Sequence, residues 1–359
     1  MRLLVITPKV DPNDDLFGHV HTWMTALAER VERLYVVALW AGDPALPPNA
    51  RFFSLGKEET GDKLLWLARL QRVVGRLCLS GEVDAVLAHM APIFAVAAAP
   101  LARLARRPLF LWYAHGQVSP MLRLAHALVA GAGTSTTAGF RIRSGKLTIT
   151  GQGIDTERFR PVSGAPAGPP TILSVGRFSP IKGFETVLDG FAELGRESAE
   201  GAAPRLVLVG GVHGPGERRY LPSLRGRAER LGLGDRVGVE TGIPHAQMPS
   251  VYQRATMLVS CSRTGSLDKV VLEAAACGVL PIVADPAFRP FLGESWDQLS
   301  FPPGDARALA ACLTGWLDRS ESERRALAAR LRAVVEGRHS VSRLADAVVH
   351  MIAEQTGCR

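Results

Sequence analysis

The sequence predicts an α/β protein of two Rossmann-like domains, each a doubly wound parallel sheet, that face each other across a cleft. Short apolar runs alternate with stretches of helical periodicity along the 359 residues. The runs are apolar at consecutive positions, which is typical of strands covered on both faces. The alternation stops once, in a Pro/Gly-rich stretch at 161–170, and then starts again.

The first half begins with a run that is apolar after Arg2, followed by a loop, Pro8–Val20, that contains Gly18. His21–Arg30 then has helical periodicity. The predicted strands are Arg2–Thr7, Leu34–Trp40, Asp84–His89 and Phe110–Tyr113, and Ala127–Gly131 and Lys146–Thr150 continue the alternation. Because such sheets bind ligands at the carboxyl ends of their strands, we expect the first loop and His115 to face the cleft.

An amphipathic basic helix is predicted at Lys63–Leu77, which contains no acidic residue. One predicted face carries Arg69, Arg72 and Arg76, and the other carries Trp66, Leu67, Leu70, Val73 and Val74. Such a helix can rest on an anionic membrane surface. It can also pack its apolar face on the sheet, as helices of this fold class do, and we favour that interpretation.

The Pro/Gly-rich stretch at 161–170 is interpreted as a linker between an N-terminal domain, 1–160, and a C-terminal domain, 171–338. Residues 339–359 contain a last amphipathic helix, Ser340–Glu354, which can return to the N-terminal domain. The predicted strands of the second domain are Thr171–Val175, Arg205–Val209, Arg236–Glu240, Met257–Ser260 and Leu280–Ala284, and its helices are Gly183–Gly195, Tyr220–Leu231, Met248–Ala255, Arg307–Trp316 and Glu321–Glu336.

The stretch Ser262–Val283 gives the clearest indication of a site. A polar loop enters an alanine-rich helix that begins near Asp268 and is stopped by Gly278. A loop that enters a helix N-terminus offers backbone N–H groups and a positive dipole end to an anion. Glu273 has apolar helix neighbours, where a carboxylate is costly unless a polar group meets it. The stretch therefore predicts a hydroxylated, phosphorylated ligand.

Two cations, Arg177 and Lys182, lie between a predicted strand and the helix that starts at Gly183. Cations beside a helix N-terminus suit a diphosphate, although solvated surface cations are the alternative. Gly210 and Gly211 end the next strand in a turn that allows a close approach of another backbone.

Composition narrows the class of protein. Five cysteines without metal-type spacing indicate a reducing compartment and no disulfide framework. Met1–Thr7 is too short for a signal peptide, and the longest apolar run, Ala91–Ala102, contains two prolines and falls short of a membrane span. We therefore expect a cytoplasmic protein. The sequence contains no Asp-x-Asp pair, whose carboxylates commonly bind the metal ion of a metal–nucleotide complex. No metal is therefore expected.

The net charge of +8 is concentrated in the first half. Residues 1–160 carry 19 Lys and Arg against 13 Asp and Glu, whereas residues 161–359 carry 23 against 21. An anionic partner such as a lipid headgroup, a nucleic acid or a phosphorylated substrate accounts for this excess. An Arg-rich surface without a partner accounts for it equally well.

Three segments carry a specific resemblance. Gly176–Gly183 is similar to a G-R-x-x-x-x-K-G signature, and Gly153–Pro161 is similar to a G-[IV]-D-x-x-x-F-x-P segment that precedes an interdomain linker. Glu273–Gly278 is similar to the E-A-M-A-C-G helix at the end of a Glu-x(7)-Glu motif. In this order and spacing, the segments resemble the retaining GT-B glycosyltransferases of family 4, also called group 1, and the resemblance covers nearly the whole chain.

The resemblance implies an enzyme that moves a sugar from a nucleoside-diphosphate donor to a hydroxyl acceptor, with retention at the anomeric carbon, in polysaccharide or glycolipid biosynthesis. It implies that Arg177 and Lys182 bind the donor diphosphate, and that the backbone of Gly18 approaches the same phosphates. Glu273 would hold the ribose hydroxyls of the nucleotide. His115 would meet the transferred sugar and counts as a catalytic candidate.

One position departs from the family pattern. The first Glu of Glu-x(7)-Glu falls at Gly265, and Asp268 stands where the family usually has glycine. Either Asp268 or Ser266 takes over the sugar contact, with Gly265, Ser266 and Leu267 as the residues expected to bind the donor sugar, or the chain is a non-catalytic protein that binds sugar nucleotides or carbohydrates. We prefer the first explanation, in which Asp268 is a catalytic candidate, because the phosphate cations and the buried carboxylate are kept.

Asp268 can also be the N-cap of its helix, which is compatible with a ligand role. Lys269 is interpreted as a solvated helix cation rather than a ligand.

The expected partners are a nucleotide-sugar donor and a carbohydrate, lipid-linked or small-molecule acceptor. Neither a metal, another cofactor nor a nucleic acid is expected. Because relatives that glycosylate lipids often rest on anionic membranes, the basic N-terminal domain implies peripheral contact with the inner face of the membrane. A phosphorylase or epimerase of the same fold is a third interpretation.

Overall fold

The computed structural model describes residues 1–40, 42–162, 164, 168–194 and 203–357. The chain divides into two compact units. The domain boundaries predicted from the sequence were residues 160 and 338. The first unit combines Met1–Asp155 with His339–Arg359, and the second is the continuous segment Thr156–Arg338. The predicted linker at 161–170 stays a prediction, because 163 and 165–167 lie outside the described residues.

The strands are β1 (Arg2–Thr7), β2 (Arg33–Ala38), β3 (Ala50–Ser54), β4 (Ala85–His89), β5 (Leu109–Trp112), β6 (Gly131–Thr134), β7 (Leu147–Ile149), β8 (Thr171–Val175), β9 (Arg205–Gly210), β10 (Val237–Thr241), β11 (Met257–Ser260) and β12 (Leu280–Val283). The α-helices are α1 (Gly18–Ala28), α2 (Lys63–Leu79), α3 (Pro92–Leu104), α4 (Pro120–Leu128), α5 (Phe184–Glu193), α6 (Pro215–Arg230), α7 (Met248–Gln253), α8 (Lys269–Ala276), α9 (Arg289–Leu292), α10 (Trp296–Leu299), α11 (Ala306–Leu317), α12 (Glu321–Arg338) and α13 (Val341–Thr356).

The sheet of the first unit has seven parallel strands in the order β3-β2-β1-β4-β5-β6-β7. Successive side chains of β1 point to opposite faces, so Leu4 and Ile6 pack with α2, α3 and α4, while Leu3 and Val5 pack with α1 and α13. All four side chains are fully buried, as expected for a parallel sheet that is covered on both faces.

The second unit has a five-stranded parallel sheet in the order β10-β9-β8-β11-β12. Because β8 and β11 are neighbours, the segments that follow them, Gly176–Gly183 and Cys261–Asp268, leave the sheet side by side at its carboxyl edge. Helix α8 begins directly after the second of these segments and ends before Gly278, whose φ is +78°. The predicted fold class of two Rossmann-like parallel sheets is confirmed.

Several predicted elements were wrong or incomplete. The predicted strand Ala127–Gly131 does not form, because α4 runs to Leu128 and β6 starts only at Gly131. Pro120 occupies the first turn of α4, where its missing N–H costs nothing, and the Ser119 side chain accepts a hydrogen bond from the N–H of Leu122. Strand β3 and helices α3 and α4 carried no prediction.

Helix starts were also placed too late in two cases. Helix α1 starts at Gly18 rather than at His21, and α6 starts at Pro215 rather than at Tyr220. Each error left a residue with a poor intrinsic helix propensity, glycine or proline, in the preceding loop.

The predicted basic helix forms as α2 and packs on the sheet, which confirms the interpretation we favoured. Leu70 and Val74 are fully buried, and Trp66 packs against the same core. Arg69 does not join a free basic face, because its guanidinium donates to the carbonyl of Leu55 and to Glu59. Among the described residues, none of the helices has the length and apolar character needed to cross a membrane.

Candidate functional site

Glycines allow the segment after β8, which carries Arg177 and Lys182, to pack closely against its neighbours. A Cβ added to Gly210 would lie 2.0 Å from the carbonyl oxygen of Gly176, so only glycine lets these two segments approach so closely. Gly183 has φ +66° and precedes α5, and a Cβ there would lie 2.8 Å from the carbonyl oxygen of Cys261. The cations are therefore presented on a backbone that is packed into the carboxyl edge of the sheet.

Lys182 lies in a polar pocket between the two segments. Its Nζ is 2.6 Å from Oδ2 of Asp268 and 3.5 Å from the hydroxyl of Ser262. The side chains of Lys182 and Asp268 are each only 15% exposed, so this ion pair is shielded from solvent more than a surface pair is. The structure thus brings a predicted phosphate cation directly against a predicted catalytic carboxylate.

Asp268 occupies the N-cap position of α8 but does not cap it with its side chain. Its Oδ1 lies 3.5 Å from the hydroxyl of Thr264, while its Oδ2 pairs with Lys182. The carboxylate is therefore directed to Lys182 and not to the helix N–H groups.

Arg177 is less restrained than Lys182. Its side chain is 50% exposed, and its closest carboxylate is that of Glu217, with 3.9 Å between Nη1 and Oε1. An exposed pair at that distance contributes little to stability. Arg177 is free to move to a ligand at a small energetic cost.

Glu273 is 4% exposed and is held by two side chains that the sequence did not indicate. Tyr252 Oη donates to Oε2 at 2.8 Å, and His245 Nε2 lies 3.0 Å from Oε1. Phe159 covers both rings, with centroids 5.4 Å from His245 and 6.0 Å from Tyr252. A carboxylate has about four acceptor positions, so these two contacts leave room for the hydroxyls of a ligand.

The electrostatics around Glu273 keep it ionised. Burial acts to raise the pKa of the Glu273 carboxyl, but His245, the Tyr252 hydroxyl and Lys269 together hold that pKa below its usual value. Burial and the adjacent Glu273 carboxylate raise the pKa of Tyr252 well above its usual value, so Tyr252 stays a donor.

Lys269 is not the solvated helix cation that we expected. It is partly buried at the start of α8, and burial lowers its pKa to about 8, against the opposing effect of Glu273 and Asp268. Lys269 is partly buried because it lies in the first turn of α8, next to Asp268 and one turn before Glu273.

The loop before α8 has a backbone that suits glycine. Gly265 has φ +64°, a region that residues with a side chain rarely adopt, and its N–H donates to Oδ2 of Asp285 at 2.6 Å. Asp285 is 5% exposed and also accepts from the N–H of Ala287. A glutamate at position 265 would be strained in this conformation, which is a physical reason for the departure from the expected motif.

Two further predicted donor-sugar residues complete this loop. The hydroxyl of Ser266 donates to that of Thr264 at 3.2 Å, and the Leu267 side chain is 2% exposed. Ser266 and Leu267 are therefore inside the protein, and a ligand would meet their backbone rather than their side chains. Asp285 follows β12 at the carboxyl edge of the sheet, and that position was the one signal in the sequence that pointed to it.

The two candidates of the first unit lie after strands at its own carboxyl edge. His115 follows β5, is exposed, and accepts a hydrogen bond at Nδ1 from the N–H of Gln117 at 3.3 Å. Gly18 is the first residue of α1, is buried, and donates its N–H to the carbonyl of Asp14. The Gly18 N–H is thus already bonded within the turn. What remains for the predicted phosphate contact is the small size of glycine, which allows a close approach to the backbone.

The described residues contain no cluster of three or more His, Cys, Asp or Glu side chains arranged to hold a metal ion. The polar groups brought together in the second unit are two ammoniums, one guanidinium and three carboxylates, with a histidine and a tyrosine. This set can bind phosphates through cations and hydroxyls through carboxylates.

Comparison with known proteins agrees with this chemistry. Residues 155–332 match the family model described as glycosyl transferases group 1. The chain is similar to a D-inositol 3-phosphate glycosyltransferase of Segniliparus rotundus, with 33% identity over 147 residues, which are 39% of this chain and 31% of that protein. It is also similar to a GDP-mannose-dependent alpha-(1-6)-phosphatidylinositol monomannoside mannosyltransferase of Mycobacterium tuberculosis, with 34% identity over 148 residues, 37% of this chain and 36% of that protein. The matched segments span about a third of the length of these curated relatives.

Solved structures are similar over the whole chain. Anabaena HepE in complex with UDP-glucose has a TM-score of 0.77 and 18% identity, covering 99% of this chain and 100% of that chain. Sucrose-phosphate synthase from Thermosynechococcus elongatus has a TM-score of 0.79 and 19% identity, covering 100% of both chains. At these identities the likeness shows the fold alone.

Proposed function

We propose that this chain, whose residues 155–332 belong to the group 1 glycosyl transferases, moves a sugar from a nucleoside-diphosphate donor to a hydroxyl acceptor. The whole chain has the GT-B fold. The observation that carries the proposal is the contact between Lys182 and Asp268, which joins the cationic segment after β8 to the loop before α8 at one edge of the sheet.

In the proposed donor complex, Lys182 and Arg177 meet the diphosphate, and the N-terminus of α5 adds its dipole. Glu273, ionised and fixed by Tyr252 and His245, accepts hydrogen bonds from the ribose hydroxyls. As the leaving diphosphate gains negative charge, the preorganised cations stabilise it, and such fixed charges are worth several kcal/mol in enzyme sites, about 3 kcal/mol for a single donor.

Asp268 has a defined part in this proposal. The ion pair with Lys182 neutralises both groups before the donor arrives. When the diphosphate takes up the charge of Lys182, the carboxylate of Asp268 becomes available to a hydroxyl of the donor sugar. We assign His115 to the acceptor-side contact with the transferred sugar, and Ser266, Leu267 and Gly265 to a backbone wall beside that sugar. Transfer with retention and without a metal belongs to the same proposal.

The test is a donor screen followed by transfer assays. Binding of UDP-, GDP-, ADP- or TDP-sugars should raise the melting temperature of the protein by mass action. The variant Lys182→Met/Asp268→Asn removes both members of the ion pair, so neither charge is left buried and unpaired. We expect it to lose donor binding and transfer while it keeps the fold, whereas Arg225→Ala, an exposed residue of α6, should behave as wild type. Unchanged turnover in the double variant would contradict the proposal.

The second candidate is a non-catalytic protein that binds sugar nucleotides, and Gly265 favours it. The left-handed backbone there excludes the family's first glutamate, and Asp285 holds that backbone in place. A purified protein that binds a donor, yet neither hydrolyses it nor transfers its sugar to a broad acceptor panel, would establish this second function in place of the first.

The acceptor is proposed to be a carbohydrate, a small hydroxylated molecule or a lipid-linked glycan, because relatives carry the names of inositol phosphate and phosphatidylinositol mannoside transferases. For a lipid-linked acceptor, the proposed location is the cytoplasm at the inner face of the membrane. The exposed Leu64 and Leu65, at the start of α2, and the exposed Arg72 and Arg76 support this contact. Co-sedimentation with anionic vesicles tests it, and Leu64→Ser/Leu65→Ser should reduce the bound fraction.

A further inference from the structure

The first unit has an open pocket at the edge of its sheet where β4 and β5 begin, opposite to the carboxyl edge that carries His115. Its volume is about 520 Å³. Arg103, in the last turn of α3, and Arg106 and Arg107, in the turn that leads to β5, line it together with Asp84. The end of α13 forms the rest of the wall.

The carboxylate in this wall is already neutralised. Arg2 donates its backbone N–H to Oδ2 of Asp84 at 2.7 Å and its Nη2 to Oδ1 at 2.7 Å. Burial acts to raise the pKa of the Asp84 carboxyl, but these bonds to Arg2 hold it below its usual value. Within the described part of the chain, Arg103, Arg106 and Arg107 have no carboxylate partner. The pocket therefore presents three positive charges that have no counterion among the described residues.

Arg107 shows that the arrangement is built rather than accidental. Its Nε is enclosed by protein and has no hydrogen-bond acceptor among the residues that the structure describes. Its guanidinium lies over Gly81, where an added Cβ would be 3.4 Å from Nη2. An enclosed donor of a charged group without an acceptor is costly, so an occupant that supplies an acceptor would be favoured.

Arg106 lies in the turn that ends α3. It has φ +55°, and among the described residues only Ala45 and Met90 share a positive φ without being glycine. The N–H of Arg107 donates to the carbonyl of Ala102, so this left-handed residue closes α3 and places Arg106 and Arg107 side by side at the pocket.

We propose that this pocket binds the phosphoryl group of an anionic ligand, at a site separate from the donor site. Guanidinium groups form paired hydrogen bonds with phosphate oxygens, and three of them match the charge of a phosphate dianion or a diphosphate. Because the pocket lies at the opposite edge of the sheet from His115, its occupant is an effector or an anchor and not the substrate of the transfer.

The phosphoryl group can belong to a soluble phosphate ester or to a lipid headgroup. Leu104, 71% exposed, and Leu79, 57% exposed, end α3 and α2 at this same edge, so a lipid surface has apolar side chains to contact beside the arginines. Soluble and vesicle-bound probes distinguish the two sources.

The first arm titrates sodium pyrophosphate into protein that carries Lys182→Met/Asp268→Asn, so that the proposed donor site does not contribute. In this background, Arg103→Gln/Arg106→Gly removes two pocket charges, and glycine suits the backbone at position 106. Arg123→Gln/Arg143→Gln removes two exposed arginines elsewhere in the unit and is the matched control. We expect about tenfold or greater loss of affinity in the pocket variant only.

The second arm measures co-sedimentation of the same proteins with phosphatidylcholine vesicles that contain phosphatidic acid. Binding of pyrophosphate without vesicle binding assigns a soluble ligand, and vesicle binding that is lost in the pocket variant assigns a headgroup. The melting temperature of Arg106→Gly without ligand checks that the variant is folded. Equal binding by the pocket and control variants in both arms, or no binding by either, overturns the proposal.

Discussion

Glu273 is ionised in the protein interior because residues far from it in the sequence supply its partners. Tyr252 and His245 lie 21 and 28 positions before it. The sequence predicted that a polar group must meet this carboxylate, but no spacing rule identifies a partner at that separation. The same holds for Asp285, which reaches Gly265 from the end of another strand.

Removing the Tyr252 hydroxyl should destabilise the second unit. In Tyr252→Phe, the buried Glu273 carboxylate loses one charge-assisted hydrogen bond, which we expect to cost about 1.5–3 kcal/mol in the free energy of unfolding. Tyr35→Phe is the matched control, since Tyr35 donates to Glu82 at 3.2 Å in a more exposed place and should cost about 1 kcal/mol or less. Urea unfolding measures both values, and equal losses would show that Tyr252 does not support the carboxylate.

A side chain at position 265 should strain the loop. Gly265→Ala places a Cβ on a backbone with φ +64°, and we expect a loss of roughly 1–2 kcal/mol in the free energy of unfolding. Gly315→Ala, in α11 and without atoms within 4 Å of the added Cβ, should instead stabilise by up to about 1 kcal/mol. If both variants shift the urea midpoint in the same direction, the left-handed conformation is not the constraint at 265.

Lys269 should make the free energy of unfolding increase with pH in the alkaline range. Its pKa is about 8 in the folded protein, below its ordinary value of 10.5, so between these values the unfolded chain binds more protons at this group. Stability therefore rises with pH in that window. The free energy of unfolding of the wild type, taken relative to Lys269→Gln, should increase from pH 8 to pH 10. A difference that stays constant or falls would mean that Lys269 is solvated, as the sequence had indicated.

At the scale of elements, runs of consecutive apolar residues predicted most of the parallel strands, because strands that are buried on both faces are apolar at successive positions. Helix α3 was not predicted: its apolar run, which contains Pro92 and Pro100, was considered only as a membrane span, and Pro92 in fact fills the first turn of the helix. Strand β3 lies at the sheet edge with a partly exposed pattern, so its signal was weak. Strand β8 pairs with β11, and a pairing between strands so far apart in the chain cannot be predicted from a local sequence pattern.

Helix α2 should show the difference between its packed and exposed leucines. Leu70 is fully buried against the sheet, and we expect Leu70→Ala to cost about 2–5 kcal/mol in the free energy of unfolding. Leu64 is 75% exposed, and Leu64→Ala should change stability by about 0.5 kcal/mol or less. Thermal or urea unfolding separates the two, and a similar cost for both would contradict the packing of α2 described above.

At the scale of the whole molecule, the first unit is made from two separate parts of the chain. Helix α13 contributes Leu344, Val348 and Ile352 to the core on one face of the sheet, and all three are buried. The sequence indicated an amphipathic helix that can return to the first domain, and its amphipathic pattern alone did not say which sheet it would cover.

Truncation after Arg338 should therefore unfold the first unit and spare the second. Removing α13 exposes the apolar side chains of α1 and of the sheet that it covers. We expect hydrogen exchange to become fast throughout β1, β4 and β5, while β8 and β11 keep their protection. A matched truncation after Thr356, which leaves α13 intact, should leave protection in both units unchanged. Retained protection of β1 in the shorter chain would show that α13 is dispensable.

The divided first unit has a consequence for the order in which the chain matures on the ribosome. Residues 339–357, which finish the core of the first unit, are synthesised only after all of 156–338 has been made. The second unit is continuous and can complete its own core as it emerges. The half of the protein that is translated first is thus finished last, and until then the surface under α13 is exposed to any chaperone that recognises apolar chain.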